Sequence, residues 1–434
     1  MDAAPDPAMD PTADPTADPT ADPAEDIGAA PALDVERLRS AFPALLDGPS
    51  AGLVRLDGPG GSLVPQVVAD AIASAMTSGM CQRGTLTPVE QLAEATTAGA
   101  RAAMGDLLGT DHRGVVFGRS MTALTFDLAR SLSAAWGPGD EVVVTRLDHD
   151  ANIRPWVTAA ARTGATLRWL DFDPETTELH DVESVLSDRT RVVAVTAASN
   201  LFGTRPDVPA IAAAAHEVGA LVHVDAVHLA AHDTVDRVAL GADLISCSPY
   251  KFFGPHLGVL AADPALLETL HPDKLLPSTE EVPERFELGT LPYEQLAGVT
   301  SAVDFIASFD PRGASGATRR QRLVAAMGAI AAHEHALLSR LLIGLDRLSH
   351  VRVHGSPASR TPTLLLHVDG VEPRAVYEHL VDHGVIAPAG SFYALEASRH
   401  AGLGDTGGVR VGLSPYTTHE DLDRLIVGLG RLAC

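Results

Sequence analysis

Cysteine, basic charge and long apolar runs are all scarce in this 434-residue sequence. Its cysteines, Cys81, Cys247 and Cys434, form no CxxC motif and no zinc-ligand spacing, so we predict a reduced, cytoplasmic chain without a metal centre. No apolar run reaches the roughly 18 residues that a membrane-spanning helix needs. The N-terminus lacks the basic start and apolar stretch of a secretory signal, and we expect no membrane partner.

Positive charge is outnumbered by negative charge. Lys and Arg number 32 against 56 Asp and Glu, and the formal net charge of −24 at pH 7 argues against a nucleic-acid partner. Almost all of the cationic residues are arginine, because the only lysines are Lys251 and Lys274. Chemistry that needs a lysine amine therefore has only these candidates.

The composition divides the chain into a leader and two domains. Pro, Ala and Asp dominate residues 1–30, where the unit ADPT repeats in tandem. Such a segment buries too little apolar surface to fold, so we predict a disordered leader. We expect residues 31–310 to form a large domain and residues 311–434, which begin with a Gly-, Ser- and Arg-rich stretch, to form a smaller α+β domain.

Short Val- and Ile-rich runs alternate with helical patterns from about residue 60 onward. The strands predicted for the large domain cover residues 114–117, 141–144, 166–170, 192–196, 221–224, 243–246 and 258–261. Continuous apolar runs of this kind are typical of strands that are buried on both faces. We therefore predict an α/β fold in which helices cover a mainly parallel, seven-stranded sheet.

Lys251 stands in the sequence SPYKFFGP at 248–255, just after a predicted strand. Apolar neighbours lower the pKa of a lysine by desolvation, which suits Schiff-base chemistry. The alternative is a structural lysine whose stem lies on apolar surface. The spacing from Ser248 to Lys251 also fits the SxxK motif of penicillin-recognising enzymes, but no SDN or KTG motif follows it. Lys274 is predicted to be an ordinary surface residue.

A lysine that binds pyridoxal 5′-phosphate (PLP) needs a carboxylate for the pyridine nitrogen, an aromatic face for the ring and an anion hole for the phosphate. Asp225 is the candidate carboxylate, since it closes the strand at 221–224; a helix N-cap is the alternative. The Ser-Met-Thr triplet at 120–122 begins a helix, where backbone N–H groups bind phosphate or simply form a cap. No GxGxxG motif follows the first strand, which counts against a nicotinamide or flavin site.

Further polar residues follow strands of the predicted sheet. His149 comes after the strand at 141–144, and Asn200 comes after the strand at 192–196. Either residue alone would usually be structural. Because functional loops gather at the carboxyl ends of parallel strands, we expect both to approach Asp225. His228 lies close behind Asp225 in sequence and is expected to face the same place.

Seven segments, in chain order, resemble the class-V aminotransferase family of fold type I PLP enzymes, and within it the cysteine-desulfurase-like branch. These segments are GRSMTALTFDLAR (118–130), LDHDANIRPW (147–156), ASNLFGT (198–204), VHVDAVHLAAH (222–232), CSPYKFFGPHLG (247–258), ERFELGT (284–290) and VRVGLSPYTTHE (409–420). The resemblance covers roughly residues 35–430. It implies a homodimeric PLP enzyme with active sites at the subunit interface and a small amino-acid substrate.

The resemblance also implies a role for each matched residue. Lys251 would carry PLP as a Schiff base, Asp225 would pair with the pyridine nitrogen, and His149 would stack on the ring. Asn200 and His228 would lie near the phenolic oxygen. The phosphate would be held by Ser120, Met121, Thr122, Ser248, Tyr250 and, from the neighbouring subunit, Thr290.

The substrate side matches the family at one point and departs from it at another. Arg410 matches the residue that would bind the substrate α-carboxylate, a bidentate task suited to a guanidinium group. Cysteine desulfurases of the family carry a sulfur-accepting cysteine in a mobile loop. The matching stretch here, PAGSFYA at 388–394, has none, and Tyr393 falls about where that cysteine would be. We predict that Tyr393 contacts the substrate, as a proton donor or as a wall of the pocket.

We therefore predict a PLP enzyme acting on an amino acid or S-substituted cysteine, by β-elimination of the C–S lyase type and without a persulfide cysteine. Removal of the α-proton by Lys251 and departure of a thiolate would give pyruvate, ammonia and a thiol. Cysteine desulfuration, transamination, racemisation and decarboxylation coupled to oxidative deamination remain alternatives, because the sequence does not reveal which α-bond breaks. A non-catalytic binding module is the alternative outside enzyme chemistry.

Overall fold

A computed structural model of the chain describes residues 32–313 and 315–432. The predicted leader at 1–30 and Cys434 lie outside these residues. Within the described part of the chain, no helix is both long and apolar enough to cross a membrane.

Strands and helices alternate along most of the described chain. The strands are β1 (Val54–Arg55), β2 (Val115–Gly118), β3 (Glu141–Thr145), β4 (Thr166–Leu170), β5 (Thr190–Thr196), β6 (Leu221–Asp225), β7 (Leu244–Cys247), β8 (Gly258–Ala262), β9 (Val351–His354), β10 (Thr363–Val368), β11 (Val385–Ile386), β12 (Ala389–Gly390) and β13 (Gly408–Gly412). The helices are α1 (Val35–Ser40), α2 (Pro43–Leu46), α3 (Gln66–Thr77), α4 (Pro88–Leu108), α5 (Met121–Leu132), α6 (Arg154–Thr163), α7 (Val208–Glu217), α8 (Pro264–Thr269), α9 (Tyr293–Ala307), α10 (Arg319–Asp346), α11 (Pro373–Asp382), α12 (Leu395–His400) and α13 (His419–Gly430).

A seven-stranded sheet forms the centre of the larger part of the molecule, in the order β2-β8-β7-β6-β5-β3-β4. β8 pairs antiparallel with β2 and β7, while the other pairs are parallel. Its strands fall on the Val- and Ile-rich runs of the sequence. The predicted α/β fold with a mainly parallel seven-stranded sheet is confirmed.

The sheet is buried on both faces. On β3, Val143 packs into one apolar core, while its neighbours Val142 and Val144 pack into the core on the opposite face. This division follows from the alternation of side chains along a strand. A strand whose two faces are both apolar must be covered by helices on both sides, which explains why its sequence reads as an uninterrupted apolar run.

A second, antiparallel sheet lies in the C-terminal part of the chain, in the order β12-β13-β10-β9. β1, from the N-terminal segment, pairs in parallel with β11 beside this second sheet. Helix α10 joins the two parts, because Leu323 and Ile330 pack into the large core and Leu337 and Leu345 pack into the small one. The domain boundary at about residue 310 stays a prediction.

Candidate active site

A cavity of about 580 Å³ opens at the carboxyl edge of the seven-stranded sheet. Its volume is in the range typical of ligand-binding pockets. The structure brings almost every residue predicted from the sequence to this cavity. They are Ser120, Met121, Thr122, His149, Asn200, Asp225, His228, Ser248, Tyr250, Lys251, Tyr393 and Arg410.

Thr290 is the predicted site residue that the structure leaves outside the cavity. It is exposed and lies in the connection between the turn at Glu284–Phe286 and helix α9. Its predicted contact with the phosphate of a neighbouring subunit stays a prediction.

Lys251 is the amine of the site. It ends the single turn Pro249–Lys251 after β7, and its Nζ donates a hydrogen bond to the backbone carbonyl of Pro59. Burial and then the charge of Arg410 lower the pKa of Lys251 to about 7, although Asp225 acts in the opposite direction. A substantial fraction of the amine is therefore unprotonated, and nucleophilic, near neutral pH.

Asp225 is the buried carboxylate of the site. It ends β6 and is 4% exposed, and its Oδ1 accepts a hydrogen bond from Val227 N at 2.9 Å. Burial raises its pKa to about 6, against the opposing hydrogen bond and the attraction of Lys251. A protonated ring nitrogen placed against this carboxylate would be retained as a cation, because the two opposite charges stabilise each other where water is excluded.

His149 presents a neutral imidazole to the cavity. Burial, with Lys251 and Arg410, lowers its pKa to about 4. Its Nδ1 accepts a hydrogen bond from Ala151 N at 3.0 Å, which leaves the proton of the neutral ring on Nε2. We call Lys251, Asp225 and His149 the floor of the cavity.

The start of helix α5 provides an anion site beside the floor. Ser120 is the N-cap of α5, so the N–H groups of Met121 and Thr122 are among its first, unsatisfied donors. Gly258 on β8 makes this position possible, because a Cβ there would lie 2.1 Å from the backbone carbon of Ser120. The helix N-terminus and the Ser120 and Thr122 side chains together suit a phosphate group.

Arg410 and Asn200 are further polar residues of the cavity lining. Arg410 is 3% exposed and donates from Nη1 to the backbone carbonyl of Asn200 at 3.0 Å. Within the described residues, Arg410 Nε and Asn200 Oδ1 are buried and have no hydrogen-bond partner. Because buried polar atoms are normally paired, these two atoms indicate that a polar ligand completes the site.

His228 is fixed behind Asp225 by the second sheet. Its Nε2 lies 3.1 Å from the hydroxyls of Thr361 and Thr363, and burial lowers its pKa, so the ring stays neutral. Its ring packs edge-on against His232, which pairs with Glu334 at 2.9 Å. This arrangement fixes the orientation of His228 towards the cavity.

Sequence reasoning missed part of the cavity lining. Pro59 and Gly60 enter from the N-terminal segment, Phe126 from α5 and Arg154 from α6, and Phe392 lies beside Tyr393. The GPGG sequence at 58–61 was an available signal, because clustered glycines often mark a place where the backbone approaches a ligand closely.

The family model for class-V aminotransferases matches residues 54–425. The chain belongs to the class-V aminotransferase family. The resemblance noted from its seven segments is thereby confirmed, and the match covers most of the chain.

Individual members of the family match nearly the whole chain. A probable cysteine desulfurase of Pseudomonas aeruginosa is 30% identical, with 91% of this chain and 97% of the relative covered. An aminotransferase-like protein of Gibberella zeae is 32% identical, with 92% and 98% covered. Among solved structures, the cysteine desulfurase CsdA of Escherichia coli aligns with a TM-score of 0.78 at 25% identity, over 92% of this chain and 98% of that one.

Class-V aminotransferases and their cysteine desulfurase relatives are PLP-dependent, and PLP is the cofactor of this chain. The residues present fit this group. The cavity combines an amine of lowered pKa, a buried carboxylate, a neutral imidazole and a helix N-terminus, which match the carbonyl, ring nitrogen, ring face and phosphate of PLP.

Proposed function

We propose that this class-V aminotransferase acts on an amino acid or S-substituted cysteine by β-elimination, a C–S lyase reaction that uses no persulfide cysteine. The observation that carries the proposal is the loop at 388–394, where Tyr393, and no thiol, lines the cavity. The products from an S-substituted cysteine and water would be pyruvate, ammonia and a thiol.

The floor and the start of α5 would hold the cofactor. Lys251 would bind its carbonyl carbon as a Schiff base, Asp225 would pair with the ring nitrogen, and His149 would cover the ring face. Asn200 and His228 would face the phenolic oxygen. The phosphate would be bound by Ser120, Met121, Thr122, Ser248 and Tyr250. When bound, PLP withdraws electrons from the substrate α-carbon.

Arg410 and Lys251 would carry out the substrate steps. The guanidinium of Arg410, whose Nε is unpaired within the described residues, would bind the α-carboxylate in a bidentate manner. This contact would orient the α-C–H bond towards Nζ of Lys251. With a pKa of about 7, that amine can accept the α-proton near neutral pH. A thiolate would then leave from the β-carbon and take up a proton.

The cysteines of the described chain offer no sulfur acceptor in the cavity. Cys247 is fully buried in β7, and burial raises the pKa of its thiol, which opposes formation of the reactive thiolate. Cys81 is exposed in a loop that does not line the cavity. A phenol such as that of Tyr393 is a poor acceptor of sulfur, because attack on sulfur calls for a soft thiolate.

Cysteine desulfuration is the second candidate, favoured by the names of several relatives. It would require one of the three cysteines to accept sulfur from the substrate. We further propose that the enzyme is a cytoplasmic homodimer with its active sites at the interface, where Thr290 of one subunit would reach the phosphate bound by the other.

Mass spectrometry after incubation with L-cysteine separates the two candidates. Elimination predicts pyruvate from L-cysteine or S-alkyl cysteines, no protein adduct of one sulfur atom, and unchanged turnover when Cys81→Ser, Cys247→Ala and Cys434→Ser are combined. The single variants are the controls for loss of stability at the buried Cys247. A one-sulfur adduct on one cysteine, together with lost activity in its single variant, would establish desulfuration instead.

A further inference from the structure

The part of the cavity that the cofactor does not need is aromatic. Once the floor, the start of α5 and Arg410 are assigned, the main remaining side chains are those of Phe126, Asp150, Arg154, Phe392 and Tyr393. Tyr393 is 76% exposed and Phe126 is 37% exposed, so both rings can be covered by a ligand. We call Phe392 and Tyr393 the wall of the cavity.

The wall has an unusual backbone. Phe392 and Tyr393 are consecutive non-glycine residues with positive φ angles, of +52° and +59°. Such conformations are strained for residues with a Cβ and persist only where surrounding contacts hold them. Strain of this kind is concentrated at functional sites, where it directs side chains that an ordinary loop would orient differently.

Hydrogen bonds to their backbone carbonyls hold the strained residues against the larger part of the molecule. Asn200 Nδ2 donates to the carbonyl of Phe392 at 2.9 Å, and Asp150 N donates to the carbonyl of Tyr393 at 2.7 Å. The Phe392 ring lies 3.7 Å from Cζ of Arg410, and the Tyr393 ring centroid is 5.6 Å from that of His149. The two rings therefore stand next to the proposed carboxylate site and the floor.

Helix α12, which begins shortly after the wall, is also held against the larger part of the molecule. Glu396 pairs with Arg146 at 3.2 Å and with Arg154 at 3.4 Å, and His400 Nε2 lies 2.8 Å from the carbonyl of Phe172. Ala394 and Ala397 are fully buried in a small apolar core with residues of the larger part. The wall is thus a fixed surface.

The charged groups of this region neutralise one another. Arg154 pairs with Asp150 at 2.7 Å as well as with Glu396, so its guanidinium is shared by two carboxylates. A substrate with an anionic side chain would compete with both for Arg154, and a cationic one would meet Arg154 itself. An uncharged, apolar side chain would pack against the rings of the wall. It would bring no charge that must lose its hydration on entering the cavity.

We propose that Phe392 and Tyr393 are specificity-determining residues that select amino-acid substrates with a large, uncharged, aromatic or apolar side chain. This inference rests on the proposed function, because it takes the amino acid to be held by its carboxylate at Arg410. Tyr393 provides the face against which the side chain packs, and Phe392 covers the guanidinium and positions it.

The test is a titration of PLP-loaded enzyme with L-phenylalanine, L-alanine and L-glutamate, in which dissociation constants are obtained from the change in the visible absorbance of the cofactor. We expect L-phenylalanine to bind about tenfold more tightly than L-alanine, as a favourable aromatic contact allows. L-glutamate is expected to bind no better than L-alanine. In Tyr393→Ala, the preference for L-phenylalanine should fall to less than about threefold while the affinity for L-alanine is unchanged.

Two further variants distinguish a contact from general damage. Tyr393→Phe keeps the ring and should keep the preference, and Tyr377→Ala removes an aromatic side chain of α11 outside the cavity and should change nothing. An unaltered preference in Tyr393→Ala, or tighter binding of L-glutamate than of L-phenylalanine, would overturn the inference alone. If no amino acid changed the spectrum, the proposed function would fail as well, and pyruvate formation reports on the elimination separately.

Discussion

The floor and the wall of the cavity are neighbours but are held in place by different means. Asp225 ends a strand of a parallel sheet in which it pairs in register with Ser246 of β7, and the next strand ends just before Lys251. The wall instead depends on a few hydrogen bonds to strained residues and on partly exposed ion pairs, such as that of Glu396 with Arg154, whose side chain is 41% exposed.

This difference in support and burial suits the two regions to the different tasks that we propose for them. A buried, sheet-supported floor can shift the pKa of Lys251 and Asp225 by more than a pH unit, because water cannot relax around their charges. The wall is more exposed, with Tyr393 76% exposed, and its aromatic surface can discriminate between side chains. We therefore expect the chemistry to depend on the floor and substrate selection to depend on the wall.

The largest expected effect is at the floor. Lys251→Ala removes the residue that we propose both attaches the cofactor and accepts the α-proton, so turnover should fall by at least about a thousandfold. The visible absorbance of bound cofactor should disappear from the purified protein as well. Absorbance spectra and a pyruvate assay measure the two losses.

Lys274→Ala is the matched control for this variant, because Lys274 is paired with Glu280 at 2.7 Å outside the cavity. Both the absorbance and the turnover should survive in it. Normal turnover in Lys251→Ala would show that the reaction does not depend on the floor, and the difference drawn between floor and wall would be wrong.

A smaller effect is expected from pH. In the cofactor-free protein only the neutral amine of Lys251 can attack the carbonyl of added PLP, and its pKa is lowered to about 7. The rate of PLP incorporation should therefore fall about tenfold per pH unit below pH 7 and level off above it. Stopped-flow absorbance measures this rate.

The Arg410→Leu variant tests how much the charge of Arg410 contributes to the lowered pKa of Lys251. Arg410 contributes to lowering the pKa of Lys251, so its removal should move the midpoint of the rate profile to higher pH. A rate that keeps rising towards pH 10.5, the ordinary lysine value, would show that the floor does not desolvate the amine.

The smallest expected effect is at the support of the wall. Glu396→Gln weakens the ion pairs with Arg146 and Arg154, which are partly exposed, so the free energy of unfolding should fall by less than about 1 kcal/mol. Affinity for L-phenylalanine should fall only about threefold, since the hydrogen bonds of Asn200 and Asp150 remain. Denaturant unfolding and the absorbance titration measure the two changes.

Glu378→Gln is the control for Glu396→Gln, because it removes an exposed ion pair with Arg374 on α11, away from the cavity. It should leave the affinity for L-phenylalanine unchanged. If both variants behaved identically, the ion pairs of Glu396 would have no part in holding the wall.

The sequence alone determined the sheet and the floor. The seven buried strands follow from apolar runs, because burial on both faces leaves a local pattern in the sequence. Lys251 stands out since the chain has only one other lysine, and Asp225 stands out since it closes an apolar strand. The ends of adjacent parallel strands meet at one edge, so the approach of these residues follows from topology.

Only the tertiary structure decided how the wall and the N-terminal segment meet the floor. Asn200 binds the carbonyl of Phe392, and Lys251 binds that of Pro59, each across 192 residues of chain. Contacts between residues so far apart in the chain leave no periodic pattern in the sequence. The strands β1, β11 and β12 are each two residues long, which is too short for a periodic pattern. The physical reason is that local patterns report how deeply a residue is buried, whereas its partner is fixed by the packing of distant segments.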